Sequence, residues 1–418
     1  MHPREGALEH DGMTQGPRWI CAQLGSREHY AIPRVLHSDG RLDRLLTDFW
    51  AVPRWFWKSA PGGRFAAARE RWHLELHDAR VHGLGLTRLA FDASNWQRGW
   101  AKTIRRNDWF QHKHLAWLHT NERTIAAGAP GIFFAYSYAA RELLRFFKGI
   151  GWNTVLGQID PGPREEEIVA EEAARFPESR GGWTRAPSTY WGAWREELNL
   201  ADRIAVNSEW SKECLQLDGV PSEKMIVVPL AYEHANSRAV KRAPPAAFTT
   251  ARPLRVLFLG QVNLRKGAHH LLDAAKRLAD SPIEFDFVGP VEISRPDVAP
   301  ANVKWHGPVS REETARFYAG ADVFALPTLS DGFALTQLEA LSHGLPVMVT
   351  RSCGRVIEDG QNGWILPSPN AEDIEVLLRR LANSPSEVAA AAACARVPEA
   401  FSLESLRGEM QRIEGSFE

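Results

Sequence analysis

Short apolar runs alternate with helix-like segments along the second half of the chain. Strands that are apolar throughout and are separated by helices are typical of a parallel sheet covered on both faces. The pattern therefore predicts a doubly wound, Rossmann-like α/β domain. The predicted strands lie at 254–260, 285–289, 303–307, 322–327, 346–350 and 363–367.

The first half repeats this alternation less regularly. Four apolar runs end in polar residues or glycine before a helical stretch, as the strands of such a sheet do. The segment 50–118 has little periodicity and holds eight tryptophans, which favours an insertion or a helical subregion. We therefore predict two Rossmann-like domains facing a central cleft, with first-domain strands at 19–25, 131–137, 153–160 and 201–208.

The predicted domain bounds follow from a break in periodicity. Residues 236–253 contain three prolines and show neither a helical nor a strand period, which indicates a linker. An acceptor domain is expected at 17–235 and a donor domain at 254–385. A disordered tail is expected at 1–16, and C-terminal helices at 386–418 are expected to cross back to the first domain.

Composition narrows the class of protein. The 418 residues carry a net charge of −1, with 44% hydrophobic and 24% charged residues, which disfavours a disordered chain or a histone-like nucleic-acid binder. The four cysteines are scattered without a CxxC pair or a Cys/His cluster, so no disulfide framework or structural zinc site is expected. We expect a cytoplasmic protein, because no apolar run has the length of a membrane span or the character of a signal peptide.

Charge and tryptophan are unevenly distributed. The first 150 residues hold 22 Lys and Arg against 14 Asp and Glu, and 14 of the 16 tryptophans lie between Trp19 and Trp210. Segments 50–58 and 102–119 mix cationic and aromatic residues, as interfacial membrane segments do. Two interpretations of these segments stay open. One is peripheral contact with the inner face of the membrane, and the other is ordinary core packing. Nucleic acid is disfavoured because no groove-reading motif accompanies the basic residues.

The segment 331–346, DGFALTQLEALSHGLP, carries the most specific chemistry. Its small residues follow a strand and open a helix, whose free N–H groups are suited to a phosphate. Glu339 follows Asp331 by eight residues, roughly 12 Å along a helix at ~1.5 Å per residue. That separation suits recognition of sugar and ribose hydroxyls rather than a shared metal. The alternative is that Asp331 is only an N-cap and Glu339 a solvated helix residue.

This segment resembles the donor-binding signature of the retaining glycosyltransferases of family 4, which have the GT-B fold. In that family two glutamates, separated by seven residues, frame a Gly-Phe-Gly stretch. The resemblance implies that Asp331 contacts the sugar and Glu339 the ribose. It also implies that the backbone of the turn contacts the diphosphate and the sugar. The sequence departs from this pattern at two positions, with Asp331 in place of glutamate and Ala334 in place of glycine. The turn consists of Gly332, Phe333, Ala334 and Leu335.

A second motif, GQVNLRKG at 260–267, resembles the family's Gly-Arg-x(4)-Lys-Gly stretch. The resemblance implies that Lys266 neutralises the donor diphosphate. Gln261 stands at the arginine position and carries no charge, and Arg265 is the candidate replacement. Lys266, Arg265 and Asp331 are thus the expected catalytic residues. The family's base-binding loop corresponds to 307–310, with Gly307, Val309 and Ser310 as candidate donor contacts.

Candidate residues in the first half follow the ends of predicted strands. Gly25 and Ser26 resemble the family's first-strand loop, which faces the cleft, and they are candidate donor contacts. His29 and Tyr30 are candidate acceptor or sugar contacts, with an exposed helix start as the alternative for His29. Gln158 and Asp160 end the third predicted strand and are further candidates. For Asp160 the alternative is a turn residue before Pro161 and Gly162.

The resemblance implies transfer of a sugar from a UDP-, GDP- or ADP-sugar, with retention of configuration, to a glycan, lipid-linked or other hydroxyl acceptor. No Asp-x-Asp motif occurs, so we expect no metal and no cofactor. One alternative is a GT-B-fold nucleotide-sugar-binding protein or partner subunit with little catalysis. Another is an epimerase or phosphorylase on the same fold.

Overall fold

The computed structural model describes residues 16–52, 71–233, 244–294 and 300–418. Three predicted segments lie wholly or partly outside these residues. They are the tail 1–16, of which only Gly16 is described, most of segment 50–58, and the first part of the linker 236–253. The strands are β1 Trp19–Gln23, β2 Leu42–Thr47, β3 Val81–Gly83, β4 Ile132–Tyr136, β5 Asn153–Gln158, β6 Arg203–Val206, β7 Met225–Val227, β8 Leu254–Leu259, β9 Ile283–Val288, β10 Val303–Gly307, β11 Val323–Leu326, β12 Val347–Thr350 and β13 Gly363–Leu366.

Helices connect these strands. They are α1 Ala31–Ser38, α2 Gly85–Ser94, α3 Gly99–Ala126, α4 Arg141–Gly149, α5 Pro163–Arg175, α6 Ser188–Leu200, α7 Glu209–Leu217, α8 Ala268–Arg277, α9 Arg311–Gly320, α10 Thr336–Ser342, α11 Ala371–Asn383, α12 Pro385–Cys394 and α13 Leu403–Gly415.

The strands form two sheets with closely related orders. The first is β3-β2-β1-β4-β5-β6-β7 and the second is β10-β9-β8-β11-β12-β13. All pairings in the second sheet are parallel. Renumbered from its first strand, the second sheet has the order 3-2-1-4-5-6, which is the Rossmann order. The predicted α/β class, with two Rossmann-like sheets, is confirmed.

The order of the second sheet determines where a ligand can bind. The chain first runs outward from β8 to β10 and then returns to place β11 on the other side of β8. Open α/β sheets bind ligands in the crevice beside the carboxyl ends of the two strands at such a reversal. The loops after β8 and β11 therefore occupy the favoured position for a site.

The chain divides into two compact units, each with more contacts within itself than with the other. The first comprises Met1–Val155 with Met410–Glu418, and the second comprises Leu156–Glu409. In the first unit the indole N–H of Trp19 donates to Oε1 of Glu414 at 2.6 Å, so the end of α13 is bound beside β1. The domain bounds drawn from the sequence stay a prediction.

The second unit buries apolar side chains on both faces of its sheet. Val256 and Phe258 face one cluster, with Leu271 of α8, whereas Leu257 faces another, with Leu338 of α10. Alternate residues of β8 thus point to opposite faces, as the pleat requires. Burial of helix residues on both sides explains the continuous apolar runs in the sequence.

Gly267 permits the close approach of the loops that follow β8 and β11. Its φ is +67°, and a Cβ there would lie 1.8 Å from the carbonyl oxygen of Pro327. We predict that Gly267→Ala lowers the free energy of unfolding by roughly 2–5 kcal/mol, since left-handed strain and a backbone clash add together. Urea denaturation measures this change.

Gly219→Ala is the matched control for this prediction. Gly219 also has a positive φ, +86°, but nothing lies within 4 Å of its Cβ position. The Gly219→Ala variant should lose only the part of the free energy of unfolding that left-handed strain accounts for, about 1–2 kcal/mol. Equal losses in the two variants would contradict the argument from close approach.

Candidate functional site

The loops after β8 and β11 are hydrogen-bonded to each other. The carbonyl oxygen of Arg265 accepts bonds from the Thr328 hydroxyl at 3.0 Å and from the Leu329 N–H at 2.9 Å. The side chain of Arg265 donates back to the Ser330 carbonyl oxygen at 3.3 Å. These bonds bring the sequence motifs 260–267 and 331–346 together, although they are separated by three strands and two helices.

Lys266, Arg265 and Asp331, the predicted catalytic residues, form one charged group. Nζ of Lys266 donates to Oδ2 of Asp331, and a guanidinium nitrogen of Arg265 lies 3.4 Å from the same oxygen. Asp331 is only 9% exposed. Burial alone would raise the pKa of this carboxyl, but Lys266 and Arg265 hold it below its usual value. The aspartate is therefore ionised, and both cations converge on one buried oxygen.

Glu165, at the first turn of α5, also contacts this group. Its Oε1 lies 3.7 Å from Nε of Arg265, and its Oε2 accepts a hydrogen bond from the Ser330 hydroxyl at 3.1 Å. Burial raises the pKa of Glu165 to about 8. The charge of Arg265 opposes this rise, and the nearby carboxylates Asp160 and Asp331 add to it. At neutral pH Glu165 is thus largely protonated.

Sequence reasoning missed Glu165. It lies in a run of three glutamates at a helix start, PREEE, where acidic residues are common because they favour the helix dipole. Nothing in that run distinguishes Glu165 from the exposed Glu167, which pairs with Arg164 at 2.9 Å. Only its position beside Arg265 in the folded chain distinguishes Glu165 from Glu167.

The turn at 332–335 is tightly enclosed. A Cβ on Gly332 would lie 2.6 Å from the Ile159 carbonyl oxygen and 2.7 Å from Nδ2 of Asn207, so only glycine fits. Phe333 is 3% exposed. Ala334 has a φ of +59°, a left-handed value that favours glycine. Its position explains why the resembling family has glycine there. Leu335 is partly buried just before α10, which has seven residues.

Glu339 is held by a tyrosine. The Tyr318 hydroxyl donates to Oε2 of Glu339 at 2.7 Å, and the carboxylate is partly buried. Burial, followed by the charge of Glu339, raises the pKa of Tyr318 well above its usual value, so this hydroxyl stays a donor. The bond orients one carboxylate oxygen of Glu339.

The candidate base loop lies at the end of β10, where Gly307 and Val309 are partly buried and the Ser310 side chain caps α9.

Gln158 and Asp160 have local hydrogen-bond partners. Gln158 is 2% exposed, and its Oε1 accepts a bond from the indole N–H of Trp194 at 3.0 Å. Oδ1 of Asp160 accepts bonds from the Gly162 N–H at 2.9 Å and from Nε2 of Gln158 at 3.1 Å. Asp160 therefore shapes the turn, and its backbone also borders the Gly332 position at 3.1 Å.

The remaining candidates belong to the first unit. The N–H of Gly25, whose φ is +82°, donates to Oδ1 of Asp48 at 2.9 Å, and Ser26 is partly buried. His29 is exposed, whereas Tyr30 is 1% exposed and packs edge-on against Trp50. The ligand contacts of these four residues stay predictions.

Known proteins are similar to this chain in sequence and in fold. Residues 253–384 match the family model for glycosyl transferases group 1. The MMP alpha-(1->4)-mannosyltransferase of Mycolicibacterium hassiacum is 27% identical over 206 residues, covering 46% of this chain and 48% of that protein. The amylovoran biosynthesis glycosyltransferase AmsK of Erwinia amylovora is 24% identical, covering 46% and 50%. The chain thus spans about half the length of the curated relatives it matches.

Solved structures are similar over nearly the whole chain. HepE from Anabaena in complex with UDP has a TM-score of 0.61 at 15% identity, covering 96% of this chain and all of that one. Sucrose-phosphate synthase from Thermosynechococcus elongatus has a TM-score of 0.61 at 16% identity, covering 96% and 99%. At these identities the likeness concerns the fold. Residues 253–384 are therefore similar to the glycosyl transferases group 1 family, and the chain has the GT-B fold.

Proposed function

We propose that this protein is a retaining, metal-independent glycosyltransferase that moves a sugar from a nucleotide diphosphate sugar to a hydroxyl acceptor. The observation that carries the proposal is the convergence of Lys266 and Arg265 on buried Asp331. This group lies at the strand-order reversal of the sheet, inside the segment that matches the glycosyltransferase family model.

The proposed mechanism uses the two cations to stabilise the leaving diphosphate. Negative charge builds on the diphosphate as the bond to the anomeric carbon breaks, and preorganised cations lower the energy of that state. Lys266 and Arg265 supply two positive charges within reach of one anion. The backbone of 332–335 would contact the diphosphate and the sugar. With retention, the acceptor hydroxyl attacks from the face that the diphosphate leaves and passes its proton to the leaving phosphate.

Asp331 and Glu339 are proposed to recognise hydroxyl groups of the donor. Both carboxylates have a fixed orientation, since Lys266 holds Asp331 and Tyr318 holds Glu339. An oriented carboxylate accepts hydrogen bonds from vicinal hydroxyls with little loss of entropy. We assign the sugar to Asp331 and the ribose to Glu339.

The donor is proposed to be a UDP-, GDP- or ADP-sugar. UDP-sugars are the first to test, because the similar HepE structures contain UDP or UDP-glucose. A glycan or lipid-linked acceptor is proposed, in keeping with a relative named for polysaccharide biosynthesis. No nucleic-acid partner is proposed.

Peripheral membrane contact at the inner face of a cytoplasmic membrane stays part of the proposal. Trp96, just before α3, is 84% exposed, and α3 carries the cationic and aromatic residues of 102–119. Among the helices that the structure describes, none is long and apolar enough to cross a bilayer. Any membrane association of these helices would therefore be peripheral.

A second candidate function is binding of a nucleotide sugar with little catalysis. Gln261 is exposed and uncharged where the resembling family has an arginine, and Ala334 occupies a left-handed position. Both changes fall at positions that the resemblance assigns to donor contacts. Calorimetry with a panel of nucleotide sugars, beside an assay for sugar transfer or release, separates the two functions. Tight binding without any turnover would favour the binding protein.

We predict that Lys266→Ala slows release of nucleoside diphosphate from the donor by about 100-fold or more, because it removes a charge that stabilises the leaving group. Release onto water needs no acceptor, so the rate can be measured before the acceptor is known. Glu339→Ala should mainly weaken donor binding, which titration calorimetry measures.

The matched control is Lys304→Ala. Lys304 is an exposed lysine of the same unit, and its Nζ donates to Glu284 at 2.7 Å. Its removal should leave the release rate unchanged. Thermal denaturation checks that each variant is folded. A folded Lys266→Ala variant with the unaltered rate would disprove the assigned role.

The raised pKa of Glu165 predicts a pH dependence of donor binding. Below pH 8 Glu165 is protonated and leaves Arg265 available to a diphosphate. As the pH rises through about 8 the carboxylate forms, pairs with Arg265 and repels the ligand. Affinity should then fall about tenfold, equal to ~1.4 kcal/mol. Calorimetry between pH 6.5 and 9.5 measures the profile.

Glu165→Gln should flatten this profile, because the amide is neutral throughout and keeps the shape of the side chain. Glu167→Gln, at the exposed neighbouring glutamate, should keep the fall near pH 8. A profile that is the same in the wild type and in Glu165→Gln would exclude Glu165 as its cause.

Metal independence gives a separate prediction. Because two protein cations already face the diphosphate site, addition of Mg²⁺ to chelator-treated protein should change the release rate by less than about twofold. An increase of tenfold or more with Mg²⁺ would contradict a metal-independent mechanism.

A further inference from the structure

A cluster of two histidines and a glutamate lies on helices α5 and α8, outside the group described above. Glu172 is on α5, and His269 and His270 are on the first turn of α8. All three are buried, with exposures of 5%, 6% and 9%. Nε2 of His269 lies 2.9 Å from Oε1 of Glu172, and Nε2 of His270 lies 2.6 Å from the same oxygen. Both rings thus converge on one carboxylate oxygen.

The types of side chain suit a cation. One carboxylate oxygen and two imidazole nitrogens converge on a single point. Carboxylate and imidazole are both metal ligands in their deprotonated forms.

The distances require only a small adjustment for a metal ion. The three ligand atoms lie within 4.8 Å of one another. In a tetrahedral zinc site, bonds of ~2.1 Å separate neighbouring ligand atoms by about 3.4 Å. The observed nitrogen-to-oxygen distances of 2.9 Å and 2.6 Å are shorter than this. The side chains would therefore move apart by less than about 1 Å to admit an ion.

A cavity borders the two histidines of the cluster. His269 and His270 line a cavity of about 520 Å³, which Asp273 and Phe176 also line. That volume easily holds an ion with a water ligand.

We propose that Glu172, His269 and His270 bind one Zn²⁺ or a similar divalent transition-metal ion, with water as the fourth ligand. Two imidazoles and one carboxylate are a typical zinc ligand set. Mg²⁺ and Ca²⁺ prefer oxygen ligands, so they should bind poorly here. Sequence reasoning found no such site, because Glu172 is 97 residues from His269.

The metal would link two helices that begin at the donor site. α5 carries Glu165 in its first turn, and α8 begins two residues after Lys266. An ion coordinated by both helices would fix the distance between their N-terminal ends, where Glu165 meets Arg265. Its role is thus structural, and the inference does not depend on the proposed transfer reaction.

The test uses the tag-free full chain, treated with a chelator and dialysed. Zn²⁺ is titrated in competition with a chromophoric chelator, and Co²⁺ is added separately to record its visible spectrum. The wild type should bind one Zn²⁺ per chain and give the intense absorption of tetrahedral Co²⁺. His270→Ala and Glu172→Gln should each weaken Zn²⁺ binding by about tenfold to 100-fold or more.

His119→Ala is the matched control, since His119 is an exposed histidine on α3. It should bind Zn²⁺ like the wild type. The Co²⁺ spectrum of the unaltered protein tests the site even if a variant fails to fold. The proposal is overturned if the wild type binds no stoichiometric Zn²⁺, or if folded His270→Ala and Glu172→Gln bind it with unchanged affinity.

Discussion

The buried carboxylate of Asp331 is the constraint on which the candidate donor site depends. A buried charge without a partner is strongly destabilising, so the fold must bring cations to it. Lys266 and Arg265 lie in the loop that follows β8, and Asp331 lies in the loop that follows β11. Because β8 and β11 are paired, the two loops lie side by side and the cations reach the carboxylate. The same arrangement places two cations where the sheet order reverses. One group of residues thus balances the buried charge and would also form the proposed anion-binding site.

Glu165 modifies this group through its own protonation. An ionised carboxylate beside Arg265 would compete with a diphosphate for the guanidinium. Burial and the negative charges of Asp160 and Asp331 keep Glu165 largely protonated at neutral pH. The cations therefore face less negative charge when no ligand is bound than they would with an ionised Glu165. The proposed metal cluster, further along the same two helices, would hold this geometry in place.

Much of the fold was predictable because buried parallel strands are apolar throughout. The run 254–260 predicted β8 to within one residue, but β2 was missed since Asp43 and Arg44 interrupt its apolar pattern. At the site, the motifs indicated Lys266, Arg265 and Asp331, which lie together. Glu165 and the Glu172 cluster could not be predicted, because their partners are about 100 residues away in the chain. Such contacts depend on strand order, which a local pattern does not contain.

The central claim is that Lys266 and Arg265 bind the diphosphate of a nucleotide sugar. The most direct measurement compares the Kd values of the nucleoside diphosphate and monophosphate, for each of the three bases, in the wild type and in Lys266→Ala. The account predicts that for one base the wild type binds the diphosphate at least about tenfold more tightly, and that the variant loses most of this difference. Equal affinity for the two nucleotides in the wild type, or an unchanged difference in the folded variant, would contradict it.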